Sequence, residues 1–293
     1  MPYLGGCSML CCSRCRITMY CSVECQGKDW MTHKFTCFDP AKPTIMIVAL
    51  AGFDYLLETV AAHLLAALRK YAHVVISVTG EEAGMCLDAS MSPGPISGSR
   101  CCPGSGAALR AVILADGALT QEAKYDKLRL KVVGYTKCGG TVIFGATFAS
   151  FIRPDKFDSF MRESWGMLWR FGECHRTVIH LNKDNDSENF KRFREDARLA
   201  TSYSQKAVFL NFVLSEQRVY APDEQSKTQS MVFIPGEVSH RWRTSVCWTK
   251  TGCQGGWLGY VGDVNCETES TAIVLNMCGL GLGGGDGDGQ KDN

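Results

Sequence analysis

The sequence has little net charge and no long apolar run, and each absence argues against a class of function. Lysine and arginine total 31 and aspartate and glutamate 30, so the formal net charge is +1. A chain without excess charge has no general electrostatic attraction to nucleic acid or an acidic membrane. The longest plain apolar run, residues 45–51, is too short for a bilayer, which takes about 20 residues. We therefore expect no membrane span and no nucleic-acid binding.

A secretory signal is also missing, because residues 1–10 have neither a basic start nor a sustained apolar stretch. The chain has 16 cysteines, and those beyond residue 37 are scattered through apparent strands and helices. Secreted disulfide frameworks are usually small and loop-rich, so buried thiols in a reducing compartment fit this chain better. The sequence predicts a nuclear or cytoplasmic protein.

What the sequence does contain is a dense group of cysteines near its start. Between Cys12 and Cys37 the pattern is C-x2-C-x5-C-x3-C-x7-H-x3-C. A CxxC pair turns two thiolates toward one point, and His-x3-Cys places two ligands on one face of a helical turn. Two donors from a knuckle and two from a helix would complete a tetrahedral zinc site. A segment this short would need the metal to fold, since structural zinc supplies on the order of 10 kcal/mol.

The same run resembles the MYND zinc finger, including positions that bind no metal. The similarity covers Tyr20-Cys21-Ser22, Cys25-Gln26, Asp29-Trp30 and His33-Lys34. The resemblance implies two interleaved zinc ions. It assigns the first zinc to Cys12, Cys15, His33 and Cys37, and the second to Cys21 and Cys25 with an earlier CxxC pair.

The earlier CxxC pair is where this sequence departs from the family. It should lie about eight or more residues before Cys12, where the printed chain barely extends. Cys7 and Cys11, spaced C-x3-C, are available to replace it. A truncated or misassigned start would explain the gap equally well. One zinc ion is therefore expected, and a second is an open possibility.

The resemblance also implies a function, because MYND fingers bind short proline-rich peptides, often in transcriptional or chromatin contexts. Gln26 and Trp30 occupy the positions expected in the peptide groove. For Trp30 the alternative is packing in the small core of the finger, and the two roles are compatible.

Beyond the finger, strand and helix patterns alternate, which favours an α/β fold with a mostly parallel, doubly wound sheet. Short strands near the carboxyl end predict a β-hairpin region. We divide the chain into a finger (1–39), an α/β domain (40–280) with a flexible Gly/Ser/Pro-rich insertion (81–106), and a disordered tail (281–293).

The α/β domain faintly resembles the class I glutamine amidotransferase-like fold, in particular ThuA-like proteins. The similarity lies in residues 139–145, which resemble the strand before the nucleophile turn, and in the late hairpin, residues 246–265. Such an enzyme needs a cysteine in that turn with a nearby histidine. The chain has Gly-Ala-Thr-Phe-Ala-Ser there instead, so we assign no catalytic residue.

Two observations keep an enzyme under consideration. Cys174 and His175 are adjacent, although neighbours on a strand point to opposite faces. Asp263 and Asn265 could line a site at the strand ends, or could be turn residues. The favoured hypothesis is a non-enzymatic zinc-binding adaptor. The alternative is a hydrolase or small-molecule-binding enzyme recruited by the finger.

Overall fold

The computed structural model describes residues 10–15, 18–37, 42–91, 109–229, 243–252 and 255–281. The strands are β1 Leu10–Cys11, β2 Met19–Tyr20, β3 Thr44–Val48, β4 His73–Ser77, β5 Leu109–Leu114, β6 Thr141–Phe144, β7 Arg170–Leu181, β8 Ser202–Asn211, β9 Arg218–Ala221, β10 Val246–Lys250 and β11 Trp257–Val261. The helices are α1 Val23–His33, α2 Tyr55–Thr59, α3 Ala62–Tyr71, α4 Gly80–Met91, α5 Ala118–Gln121, α6 Asp126–Lys137, α7 Pro154–Trp165, α8 Lys191–Arg194 and α9 Thr268–Met277.

A large central sheet organises the mixed α/β domain. Its described strands follow the order β4-β3-β5-β6-β11-β10-β9-β7-β8. The pairings from β4 to β11 are parallel, and those from β11 to β8 are antiparallel. Only β7 and β10 therefore run against the common direction, so the sheet is mostly parallel. Within the described part of the chain, no helix is long and apolar enough to span a membrane.

Alternate residues of the parallel strands face two separate apolar cores. In β3, Ile45 and Ile47 lie in one core and Met46 and Val48 in the other. Helices α3 and α9 contribute to the first core, and α4, α6 and α7 to the second. Because both faces are covered, β3 is apolar from Ile45 to Val48, as parallel strands buried on two sides are.

Strand β8 turns back onto the middle of the sheet. The amide of Val208 donates to the carbonyl of Gly262 (2.8 Å), and the amide of Leu210 donates to that of Thr244 (2.8 Å). The amide of Val264 in turn donates to the carbonyl of Lys206 (2.9 Å). These bonds use main-chain groups that an edge strand would leave unpaired, and they hold the segment after β11 against β8.

The predicted flexible insertion at 81–106 is wrong in its first part, because residues 81–91 belong to α4. Ala83, Cys86 and Leu87 are buried at helical spacing, and the Gly/Ser/Pro-rich composition begins only at residue 92. Residues 92–106, the finger boundary at 39–40 and tail residues 282–293 lie outside the described residues.

Candidate metal centre

A short antiparallel pair forms the knuckle of the finger. Leu10 pairs with Tyr20 and Cys11 with Met19. Just inside this pair, the amide of Cys12 donates to the carbonyl of Thr18 (2.8 Å). The chain therefore reverses between Cys12 and Thr18 and places the CxxC pair at the tip of the reversal.

Helix α1 supplies His33, and the turn after it supplies Cys37, so the expectation of two ligands from a helix is wrong for Cys37. Ser22 caps its start by accepting a hydrogen bond from the amide of Cys25 (3.1 Å). The helix ends at His33, and the amide of Thr36 donates to the carbonyl of His33 (2.9 Å). This tight turn brings Cys37 back beside His33.

Cys12, Cys15, His33 and Cys37 form one buried cluster. Their ligand atoms all lie within 4.8 Å of one another. The Sγ atoms of Cys12 and Cys37 are 3.7 Å apart, and Cys15 Sγ is 3.6 Å from His33 Nε2. A tetrahedral zinc with Zn–S bonds of about 2.3 Å would place its sulfurs about 3.8 Å apart. The side chains are positioned to bind a zinc ion, as the sequence predicted.

The surroundings of Cys37 favour the protonated thiol, and a bound metal would reverse this preference. Burial, followed by the neighbouring Cys12 and Cys15 thiols, raises the pKa of Cys37 to about 12. Without a cation this thiol keeps its proton at neutral pH. Zinc binds the thiolate, so occupation of the site releases that proton.

Aromatic side chains surround the histidine ligand. The rings of Tyr20 and Trp30 meet the His33 ring edge-on, with centroids 5.9 and 6.0 Å away. The Tyr20 hydroxyl donates to Asp29 Oδ2 (2.7 Å), which ties the knuckle to α1. Trp30 also packs against the small core made by Tyr20 and the cysteines. The packing role considered for Trp30 is therefore present.

A surface groove runs beside this centre. It is lined by Cys12, Ser13, Arg14, Val23, Gln26, Gly27 and Trp30. The α1 residues among them recur at helical spacing, which places them on one face. Gln26 and Trp30, predicted from sequence as peptide-binding residues, thus line the same groove, and Trp30 contributes both to this surface and to the core.

A different arrangement occurs at the carboxyl end of β6, where the nucleophile turn was expected. Ala146 adopts a left-handed backbone conformation with φ of 52°, which is strained for a residue other than glycine. Of the following hydroxyls, Thr147 donates to the carbonyl of Ala115 (2.9 Å) and Ser150 to that of Val264 (3.2 Å). The strained turn carries a methyl group in place of a nucleophile.

Acidic residues meet at the neighbouring end of β11. Asp263 is buried; its Oδ1 accepts from the amide of Asn265 (2.9 Å), and its Oδ2 accepts from the amide of Glu267 (2.7 Å) and the hydroxyl of Ser270. Glu267 also pairs with Arg176 (2.7 Å). Burial first, then the Glu267 carboxylate, raises the pKa of Asp263 to about 7. Although burial opposes it, bonds from Asp263, from the amide of Lys206 and from Arg176 hold the pKa of Glu267 below its ordinary value.

A small cavity adjoins this acidic pair, with Ala146, Asp263, Cys266 and Glu267 in its wall. Its volume of about 10 Å³ holds roughly one water molecule. Asn265 contributes through its backbone amide, so its predicted role in a turn fits the structure.

Cys174 and His175 do not form a catalytic pair with each other. Cys174 is exposed, whereas the His175 ring stacks on Phe209 with centroids 4.4 Å apart. Burial lowers the pKa of His175. Their opposite environments follow from the alternation of side chains along β7.

The metal cluster and the cysteine spacing decide the assignment of the amino-terminal segment. Residues 6–37 match the family model of the MYND finger. A MYND finger is a zinc-binding protein-interaction module, and the four clustered ligands occupy the positions that the family resemblance assigned to the first zinc.

Comparisons that extend beyond the finger found a distant structural neighbour and no curated relative. One similar solved structure is a crystal structure of a ThuA-like protein from Parabacteroides merdae, with 11% identity and a TM-score of 0.41, covering 81% of this chain and 89% of that one. A comparison with curated proteins found no match.

The remaining cysteines of the MYND finger form a looser group. Cys21 and Cys25 are exposed, with their Sγ atoms 3.0 Å apart, and the hydrogen bond from Cys21 lowers the pKa of Cys25. This separation is shorter than the roughly 3.8 Å between two sulfurs on one zinc. Cys11 is exposed in β1, and Cys7 lies outside the described residues. The second zinc remains a prediction.

Sequence reasoning did not single out Arg14, Cys266 or Glu267. Arg14 lies between two metal ligands and could have been found by asking which side chains border the groove. Cys266 and Glu267 follow Asp263 closely, but their importance depends on contacts with Ala146 and Arg176. These contacts join distant parts of the chain and leave no local signal.

Proposed function

We propose that this protein is a zinc-dependent adaptor whose MYND finger binds proline-rich peptides of other proteins. The observation that carries the proposal is the shared groove of Gln26 and Trp30, one wall of which is the zinc ligand Cys12. Because the ion would fix Cys12 relative to α1, zinc would also fix the shape of the groove.

The groove suits an extended peptide. Proline-rich segments adopt a preformed helix without internal hydrogen bonds, so ordering them on binding costs little entropy. The flat Trp30 ring offers an apolar surface to a proline ring, and the Gln26 amide can both donate to and accept from a peptide backbone.

The α/β domain would serve this function as a doubly wound, non-enzymatic scaffold. Its strained turn presents Ala146 in place of a nucleophile, which supports an adaptor over an amidotransferase-like enzyme. The proposed setting is the nucleus or cytoplasm, with a role in transcriptional regulation as the finger family implies.

The test uses the full-length, zinc-loaded protein and a fluorescein-labelled peptide, Pro-Pro-Ala-Pro-Pro-Ala-Pro-Pro, followed by fluorescence anisotropy. Gln26→Ala should weaken binding about tenfold, the expected loss for about one hydrogen bond. Met31→Ala, an exposed position on the same helix, is the matched control and should bind normally. Equal binding by both variants, or none by the wild type, would contradict the proposal.

A second candidate function is favoured by the Asp263–Glu267 pair. A carboxyl whose pKa lies near neutrality at the carboxyl ends of parallel strands is a candidate acid–base group. In this alternative the domain binds a small molecule or hydrolyses it. Thermal stabilisation by a panel of amides and esters, lost in Asp263→Asn, would support it; no stabilisation by any compound would count against it.

A further inference from the structure

Arg14 lies at the junction of the finger and the α/β domain. Its side chain lines the groove, and its guanidinium lies over the Trp30 ring, 4.9 Å from the centroid. Its Nη1 donates to Nε2 of His73 (3.1 Å). One cation thus touches both the proposed peptide surface and the first residue of β4.

No carboxylate balances this cation among the ion pairs of the described residues. The two acidic side chains of α1 have other partners: Asp29 accepts from the Tyr20 hydroxyl (2.7 Å) and Glu24 from the Ser22 hydroxyl (3.4 Å). None of the described side chains that line the groove is acidic. These side chains therefore present a positive charge without a negative one.

The state of Arg14 favours an anionic partner. The residue is half-buried, and its guanidinium forms no ion pair with a described carboxylate, so a carboxylate from a partner would supply the missing counter-charge. A guanidinium has five N–H donors in a planar fork that matches a carboxylate. The hydrogen bond to His73 uses Nη1 of Arg14. The other N–H groups of the guanidinium remain as donors for a carboxylate that binds in the groove.

We propose that the peptide bound by this groove carries an aspartate or glutamate beside its proline-rich segment, and that Arg14 binds this carboxylate. The inference rests on the proposed function and adds the chemistry of the partner. His73 is the positioning residue that holds the guanidinium over Trp30.

The position of His73 explains how the α/β domain takes part. Its amide donates to the carbonyl of Pro43 (2.9 Å), and it pairs with Thr44 of β3, so its backbone is fixed by the sheet. Nε2 of His73 accepts from Arg14, and a nitrogen that accepts a hydrogen bond supplies no negative charge. The sheet thus orients the arginine and leaves the charge available to a partner.

The experiment compares four fluorescein-labelled peptides on the full-length, zinc-loaded protein. Each contains Pro-Pro-Ala-Pro-Pro with either Glu or Gln placed directly before or directly after it. We expect the Glu peptide to bind about five- to tenfold more tightly than its Gln counterpart in at least one of the two positions, the range for a charge-assisted hydrogen bond. Added salt should reduce this Glu/Gln ratio.

Variants assign the ratio to particular residues. Arg14→Gln should bring the Glu/Gln ratio to about one while the Gln peptides still bind. His73→Ala should lower the ratio, and His73→Gln, which retains an acceptor, should restore part of it. Lys28→Gln removes an exposed charge from α1, the helix that contributes Gln26 and Trp30 to the groove, and should leave the ratio unchanged. Zinc content, measured for each variant, checks that the finger is folded.

The possible outcomes distinguish failure of the carboxylate proposal from failure of the proposed peptide-binding function. If all four peptides bind equally, or if Arg14→Gln keeps the wild-type ratio, the carboxylate proposal is overturned and the proline-rich groove stands. If Lys28→Gln abolishes the ratio as well, overall charge is responsible and Arg14 is not the recognition residue. If no peptide binds, the proposed function itself fails.

Discussion

The finger and the α/β domain are stabilised by different means. In the finger the buried residues are mainly three cysteines, a histidine and two aromatic rings. In the α/β domain two apolar cores enclose the sheet from both faces. A metal ion can hold a small unit that lacks a sufficient core, whereas a large domain relies on apolar burial. The two parts should therefore respond independently to different perturbations.

The largest expected effect separates them through zinc. Cys12→Ser removes one of four ligands and should cost most of the metal's folding contribution, on the order of 10 kcal/mol. We expect loss of bound zinc by mass spectrometry and loss of hydrogen-exchange protection in residues 18–37, with protection retained in β3 and β6. Cys174→Ser, an exposed cysteine in β7, is the control. Equal loss of protection in β3 would show that the two parts fold as one.

The reciprocal perturbation creates a cavity in the α/β domain. Phe144 is fully buried, and its ring lies against Phe148, Phe157 and Trp165. Phe144→Ala should destabilise the domain by about 3–5 kcal/mol and leave zinc binding intact, as urea unfolding and zinc content would show. Leu130→Ala, at an exposed position, should change stability by less than about 0.5 kcal/mol. Zinc loss in Phe144→Ala would contradict independent stabilisation.

A pH effect should come from the α/β domain through Asp263. Its folded pKa is raised from 3.8 to about 7, so the folded state holds a proton that the unfolded state has released. The contribution of Asp263 to the free energy of unfolding is therefore fully present below about pH 4 and is lost as the pH rises through 7. The free energy of unfolding falls by up to about 1.4 kcal/mol per pH unit in this range. Glu267 contributes in a different pH range, because its pKa in the folded state is lowered. Its contribution to the free energy of unfolding is present above about pH 4.5 and is lost as the pH falls below that value.

Urea unfolding at pH 5 and pH 7.5, for wild type and Asp263→Asn, measures this contribution as a difference of differences. The variant should show a smaller loss of stability between the two pH values. Identical pH dependence in both proteins would show that Asp263 does not hold the proton.

The smallest expected effect concerns the strained turn. Ala146→Gly relieves the left-handed conformation at φ 52° and should stabilise the domain by about 1 kcal/mol or less, because the gain is partly offset by the freedom of glycine in the unfolded chain. Ala149→Gly, in the turn that follows, is the comparison and should not stabilise. Destabilisation by Ala146→Gly would show that the methyl group packs more strongly than the backbone is strained.

The zinc finger could be predicted from the sequence because its ligands lie close together along the chain. Cys12, Cys15, His33 and Cys37 are chosen by ligand chemistry and spacing, and the predicted zinc site is confirmed by their geometry. The α/β character was predictable for a similar reason, since the continuous apolar run of β3 indicates burial on both faces.

The rest depends on contacts between distant parts of the chain. No individual strand was predicted for residues 202–211, because β8 is held by β7 on one side and by Gly262 and Thr244 on the other. The cluster around Asp263 needs Arg176, which comes from β7. Arg14 acquires its role only when the finger meets His73. None of these pairings has a signature in the linear pattern.

The return of β8 onto the centre of the sheet has a consequence for the edges of the sheet. Of the two outermost described strands, β8 is thereby held on both sides, whereas β4 pairs with β3 alone among the described strands. The finger touches β4 where it begins, through Arg14 and His73. Zinc depletion should therefore release the start of β4 from the finger, while the strand keeps its pairing with β3.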